Sequence, residues 1–207
     1  MENKERILVK SNELFNRYGI RSVSMDDIAA QLGMSKKTLY QYYTDKDELV
    51  NAVFDIVLHN NKCQCLECVK KGDNAIHEVF LSFDRVEEML ASMNPSVLFD
   101  MQKYHPSAYK KFDEFRNGFL YKIIKANLER GINEELYREN IDTDVLSRYR
   151  LHSIVLSFNS DVFPSNKTSL VYIEQQLMEV FLWGIATSKG QKLIQKYKSQ
   201  RTKKSER

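Results

Sequence analysis

Glycine and proline are scarce, at seven and three in 207 residues. Tight turns draw on both residues, so a fold of many short strands is disfavoured and an all-helical chain is expected. Cysteine is scarce too, at three, which excludes a small scaffold stapled by disulfides. The opening Met1-Glu2-Asn3-Lys4-Glu5-Arg6 is charged and runs straight into an amphipathic repeat, unlike a secretory leader. Reduced thiols and a cytoplasmic location follow as expectations. No uninterrupted apolar run approaches the roughly 20 residues needed to cross a bilayer, so no membrane partner is expected. Signatures of catalysis are missing as well. The chain has no P-loop, no Gly-rich nucleotide motif and no Ser-His-Asp arrangement. His77, His105 and His152 are scattered without ligand spacing. No enzyme activity, cofactor or metal is expected.

What is present is enough apolar material for a packed core, at 43% hydrophobic and 11% aromatic residues. Its most informative stretch lies early. Ser24-Met25-Asp26-Asp27 places a hydroxyl at a helix start and a carboxylate three residues on, a capping box with Asp in the usual Glu position. Ile28, Ala29 and Leu32 follow as an apolar stripe, and Gly33 ends the short helix where a positive φ is needed. Ser35 then caps a second helix. Lys36, Lys37, Thr38, Gln41 and Tyr42 crowd donors and cations into two turns, while Leu39 and Tyr43, four apart, share a face that can bury. A helix anchored on one side and presenting donors on the other suits a major groove. Helix, glycine turn and capped second helix make a helix-turn-helix.

Together with Ile7, Leu8, Ser11, Leu14 and Phe15-Asn16-Arg17-Tyr18-Gly19, the run from Ser24 to Ala29 and from Leu32 to Leu49 resembles the TetR family of bacterial repressors. Tyr43 stands where that family usually has Phe, which keeps the aromatic core. The resemblance implies double-stranded DNA as partner, bound as a palindromic operator by a homodimer whose heads sit about one helical turn (~34–36 Å) apart. In its register Lys37, Thr38 and Gln41 are candidates for base edges, and Lys36 for base or phosphate. Tyr40, Tyr42, Lys46 and the cap serines Ser24 and Ser35 complete the DNA-facing set. Bulk charge does not supply this affinity: residues 1–50 hold eight basic and eight acidic side chains. The net charge of +3 hides a basic end. Residues 189–207 carry eight Lys/Arg against Glu206, so they sum to +7 and the remainder to −4.

Further along, periodicity predicts helices over about 3–18, from 46 to about 69, 74–93, 96–102, 107–130, 142–160 and 169–186. Gly131 is expected to end the fifth of these, and the basic end to start as a short helix that frays after Tyr197. Phe163-Pro164-Ser165-Asn166 is expected to be a loop. The division expected is a helix-turn-helix domain at 1–48, a helical ligand-binding and dimerisation domain at 49–198, and a basic tail at 199–207. The middle of the body is rich in aromatics whose default role is core. The resemblance implies an effector pocket there for an apolar or aromatic small molecule. Phe80, Phe83, Phe99, Phe112, Phe115 and Phe119 are candidate walls, with Gln102, His105 and Tyr109 as polar groups. It also implies a dimer built on the last two apolar helices, with Tyr149, Ile154, Phe158, Leu177, Phe181 and Gly184 at the interface.

Cys63-x-Cys65-x-x-Cys68, one turn after His59, is the remaining pattern with chemical potential. Thiolates and an imidazole can bind zinc or a softer metal. In a continuous helix, however, Cys63 and Cys65 stand roughly 160° apart, so the three thiols cannot converge. Three readings therefore stand at this point: a ligand-responsive repressor, a thiol- or metal-responsive regulator with the same head, and an architectural DNA-binding or partner-binding protein without a ligand.

Overall fold

The structure, a computed structural model, describes residues 3–164 and 168–205, with side chains through residue 202. Ser165 and Asn166 of the expected loop, and Met1, Glu2, Glu206 and Arg207, lie outside the described residues. The elements are α1 (Asn3–Tyr18), α2 (Met25–Leu32), α3 (Lys36–Tyr42), α4 (Lys46–Lys71), α5 (Ala75–Ala91), α6 (Val97–Tyr104), α7 (Pro106–Glu114), a π turn (Phe115–Leu120), α8 (Tyr121–Asn133), α9 (Thr143–Leu156), α10 (Leu170–Ile185) and α11 (Ser188–Ser205). Among the described residues no strand occurs, only an isolated bridge between Tyr137 and Ala186. The chain forms two compact units, one of Met1–Asn61 with Met89–Phe115 and one of Lys62–Glu88 with Arg116–Arg207.

In the first unit, Ile7, Leu14 and Phe15 of α1 bury against Met25, Ile28 and Ala29 of α2, Leu39 and Tyr43 of α3, and Leu49, Val50 and Val53 of α4. Val97 and Met101 of α6 and Ala108 of α7 belong to the same core. Local chemistry sets the breaks. His105 precedes a proline and takes φ −132°, ψ 61°, outside the helical region, as the proline ring requires. Pro106 then starts α7, where a missing N–H costs nothing. Asp45 caps α4 through the Glu48 N–H (2.8 Å), and Glu48 reaches back to the Thr44 N–H (2.6 Å).

Tyr43, like the buried Ser11, carries a hydroxyl without a partner among the described residues. Tyr43 is 2% exposed, and its hydroxyl meets no hydrogen-bonding atom among the described residues. Burial also pushes the phenol pKa up, so it stays neutral. An unsatisfied buried hydroxyl costs about 1–3 kcal/mol. Tyr43→Phe is therefore expected to stabilise the head by about 1 kcal/mol. A urea midpoint that falls in the variant would show that the hydroxyl has a partner after all.

The structure modifies the sequence expectation in three places. The long helix expected over 107–130 is helical throughout, as α7, the π segment and α8 in succession. The buried positions of α8 are Asn127, Leu128 and Gly131. Gly131 does not end that helix. It is buried inside it, and the chain turns back later through Glu135, a non-glycine at φ 60°. Leu136 and Tyr137 then donate their N–H groups to the Gly131 carbonyl (2.8 and 3.0 Å). Finally, α9 stops at Leu156, which leaves Phe158 in the following turn.

The basic end is also ordered beyond expectation, since α11 continues to Ser205. Ile194 buries in the core of the unit, Lys198 pairs with Glu179 (2.8 Å), and two further residues anchor the far part. Tyr197 stacks on His77 (4.7 Å between rings) and accepts from Asn74 (2.9 Å). Arg201 lies over Phe83 (4.7 Å) while its guanidinium pairs with Asp84 (2.7 Å) and Glu87 (2.6 Å). These partners lie more than a hundred residues upstream, so no local signal announces them. Inside the unit, Arg130 bridges Glu78 (3.2 Å), Glu134 (2.7 Å) and the Gly72 carbonyl (2.9 Å). Arg150 pairs with the buried Glu174 (2.6 Å). Burial raises the pKa of both Glu78 and Glu174, opposed in each case by the neighbouring arginine.

Candidate nucleic-acid interface

The interface is built from its caps. Ser24 and Asp27 complete a reciprocal capping box: the Asp27 N–H donates to Ser24 Oγ (3.1 Å), and the Ser24 N–H donates to Asp27 Oδ2 (2.8 Å). The Ser24 hydroxyl also donates to Asp27 (2.6 Å), and these bonds hold the carboxyl below the usual carboxylate range. Gly33 closes α2 at φ 66°, and Met34 N–H returns to the Ala29 carbonyl (3.0 Å). Ser35 caps α3 by accepting from Thr38 N–H (3.0 Å). With Leu39 and Tyr43 buried beneath it, α3 leaves Lys36, Lys37, Tyr40 and Gln41 exposed and Thr38 and Tyr42 half-buried.

Each expected DNA-facing residue has a definite place. Lys37 and Gln41 are exposed on α3 with no partner among the described residues. Thr38 shares a hydrogen bond with Ser35 (2.8 Å), and Tyr42 accepts from Asn3 (3.3 Å). Ser24 and Ser35 are committed to capping. Lys46 is half-buried and donates to the Ile20 carbonyl (2.6 Å), with burial lowering its pKa. Its ammonium braces the turn between α1 and α2. Lys36 bridges both oxygens of Asp26 (2.8 and 3.0 Å) and lies 5.9 Å above the Tyr40 ring. The hydrogen bond that the ammonium donates to Asp26 raises the Lys36 pKa.

Sequence reasoning missed how the α1–α2 turn is fastened. Asp100 of α6 is buried and accepts from the Arg21 N–H (2.9 Å) and the Ser96 hydroxyl (3.3 Å). Asn94 donates its N–H to the Asn16 carbonyl (2.6 Å). Gly19 makes room for this, because a Cβ there would lie 2.6 Å from Ser96 Oγ. At the other end of α6, the buried His105 pairs with Asp47 near the start of α4. The partners are some sixty to eighty residues apart, and nothing in the sequence links them.

The expected effector residues are divided between the two units. Phe80 and Phe83 belong to the core of the second unit. Tyr109 and Phe112 pack on the core of the first, 6.1 Å apart, and Phe115 and Phe119 fall on either side of the unit boundary. Phe99 is 57% exposed beneath Lys103, and Gln102 is exposed beside it. α6 buries Val97, Asp100 and Met101, which turns positions 99 and 102 outward.

In the dimerisation set, Tyr149 is exposed and stacks on the buried Phe181 (6.2 Å). Ile154, Phe158 and Leu177 are half-buried, and Gly184 is exposed with open space where a Cβ would be. Val145, Leu156, Tyr172 and Val180 extend the set as exposed apolar side chains of α9 and α10, Val180 at 66%.

The cysteines follow their helical geometry. α4 runs unbroken through all three, and among the described residues no three His, Cys, Asp or Glu side chains could hold a metal ion. Burial pushes the Cys65 thiol up to about 11 and raises Cys68 as well. Since the thiolate is the reactive form, both thiols are expected to react with iodoacetamide at pH 8 more slowly than free cysteine. Faster labelling at either, located by mass spectrometry, would count against inert thiols. No described helix is long and apolar enough to cross a membrane.

Comparison with known proteins agrees with this geometry. The family described as bacterial regulatory proteins, tetR family, matches residues 7–53. The HTH-type transcriptional regulator SAB2452 of Staphylococcus aureus is 39% identical over 172 residues, covering 79% of this chain and 81% of that protein. The HTH-type transcriptional regulator YvaF of Bacillus subtilis is 28% identical over 87% of this chain and 94% of its own length. Among solved structures, the regulator FadR of Bacillus subtilis in complex with stearoyl-CoA superposes with a TM-score of 0.68 at 19% identity. It covers 87% of this chain and 98% of that one.

Proposed function

Since the chain belongs to the TetR family of bacterial regulatory proteins, we propose that this DNA-binding transcriptional regulator is a cytoplasmic, homodimeric repressor released from a palindromic operator by a small apolar ligand. The observation that carries the reading is α3. It buries Leu39 and Tyr43 and turns Lys37 and Gln41, without partners among the described residues, to solvent on one face. Lys37, Gln41 and Thr38 read base edges, and Tyr40 and Tyr42 meet the backbone. Ser24, Ser35 and Lys46 act indirectly by fixing the helices that carry them.

The apolar stripe of Val145, Tyr149, Leu156, Tyr172 and Val180 supports pairing with a second copy through α9 and α10. Val180→Glu places a charge at the most exposed of these positions and touches nothing inside the protomer's core. It is expected to shift the protein from dimer to monomer in sedimentation velocity at micromolar concentration. An unchanged dimer would place the interface elsewhere.

The ties of α6 to the α1–α2 turn and to α4 support coupling between effector and DNA, because a shift of α6 must move Arg21 or break its bond to Asp100. Such coupling is reciprocal and typically about 1–3 kcal/mol. The stearoyl-CoA in the FadR relative suggests a long-chain acyl thioester as the first effector to try. Raised thiol pKa values and an unbroken α4 weigh against the thiol-sensing alternative.

The test is fluorescence anisotropy on the duplex upstream of the protein's own gene, beside a scrambled duplex, at one stated salt concentration. Tight binding to the native duplex alone, weakened by stearoyl-CoA or an aromatic acid, is the expected result. Equal salt-sensitive binding to both duplexes would favour the architectural reading.

A further inference from the structure

The acidic pair at the start of α2 lies where the DNA phosphates are expected, and its two members are used differently. Asp27 is consumed by Ser24, from which it accepts both the N–H and the hydroxyl proton. Asp26 turns the other way. It is exposed and clasps the ammonium of Lys36, ten residues on, with both oxygens. The same ammonium lies over the Tyr40 ring, so Lys36 is held from two sides on the face that α3 presents. Lys37, its neighbour, is left unclasped.

Folding does not explain the pair. Both side chains are about 60% exposed, at 59% and 61%, and ion pairs that open to water contribute little to stability. An acidic side chain among donors on a DNA-facing surface instead opposes affinity for phosphate, the main sequence-independent attraction. Its effect is selective in a way that lysine alone cannot be. A loosely docked head meets only phosphates, and there Asp26 holds Lys36 back from them. A head seated by the base contacts of Lys37, Thr38 and Gln41 keeps the clasp closed and draws nothing from Lys36.

We propose that Asp26 is a specificity-determining residue, which clasps Lys36 and withholds it from the phosphates that a loosely docked head meets. The ligand class is unchanged, duplex DNA. What Asp26 sets is the ratio between cognate and non-cognate affinity. This inference rests on the DNA-binding reading above.

The experiment uses full-length protein, a cognate duplex selected by the wild type from a random pool, and a non-cognate duplex of equal length and composition. Affinities are read by anisotropy across a salt series for wild type, Asp26→Asn, Asp26→Glu, Lys36→Met and the Asp26→Asn/Lys36→Met pair. Asp26→Asn is expected to tighten non-cognate binding roughly 3- to 10-fold and to steepen its log–log salt slope by about 0.9, the signature of one more phosphate contact. Cognate affinity should change less than about twofold, and Asp26→Glu should restore the wild-type ratio. In the Lys36→Met background the gain should vanish, since there is no ammonium left to release.

Equal tightening on both duplexes, or a gain that survives Lys36→Met, would overturn the inference and leave Asp26 as a bare surface charge. A wild type that selects no duplex from the pool would overturn both the inference and the DNA-binding reading. A wild type that selects one while Asp26→Asn leaves the ratio unchanged would overturn the inference alone.

Discussion

The double variant Lys37→Ala/Gln41→Ala is expected to lose roughly 100- to 1000-fold in operator affinity while melting where the wild type melts. A good bidentate contact to a base edge is worth about 1–3 kcal/mol, and the variant removes two side chains placed for such contacts. Neither side chain has a partner within the described protein, and both point away from the core. Exposed substitutions of this kind usually stay within about 0.5 kcal/mol in stability. The buried side of α3, Leu39 at 0% and Tyr43 at 2% exposure, is untouched. Affinity by anisotropy and stability by thermal melting therefore separate binding from folding. A loss below about fivefold, with an unchanged melting curve, would move the base-reading role off these two residues.

The largest effect on stability is expected from Gly131→Ala. An alanine normally favours a helix interior over glycine by about 1 kcal/mol, and a sequence-based choice would treat the change as an improvement. The structure reverses the sign. A Cβ at 131 would lie 2.7 Å from Cγ of Tyr137 and closer still to Cδ2 and Cε2. The ring cannot step aside, because Tyr137 is 1% exposed. Its hydroxyl donates to Asn127 Oδ1 (3.2 Å), and Asn127 in turn donates to the Ala75 carbonyl (2.9 Å).

Displacing the ring therefore adds overpacking to lost buried hydrogen bonds. Together these amount to a net destabilisation of about 3–5 kcal/mol, or roughly 6–20 °C in melting temperature for a chain of this size. Adding Tyr137→Ala removes the obstacle, so the double variant is expected to be less unstable than the two single losses summed. Strict additivity would show that the ring and the helix do not compete for the same space.

Much of the helix-turn-helix was determined by the sequence alone, because its signals are local. Ser24 with Asp27, Gly33, and Ser35 with Thr38 are caps satisfied within three residues. Leu39 and Tyr43 share a face by helical spacing alone. The break at His105-Pro106 follows from a ring clash between neighbours. The family resemblance rests on this same stretch.

What only the tertiary structure decided lies where partners are far apart in the chain. Gly131 reads as a helix stop until the ring of Tyr137 is seen filling its missing side chain. The basic end reads as a frayed tail until Arg201 meets Asp84, Glu87 and Phe83. The outward turn of Phe99 and Gln102 follows from the buried face of α6, which is Val97, Asp100 and Met101. Lys46 reads as a free DNA-facing cation until its ammonium is found on the Ile20 carbonyl. Caps and periodicity act over one turn of helix, so they are written in adjacent residues. Packing, burial and ion pairing act through space, and a single sequence does not record which distant residues will meet.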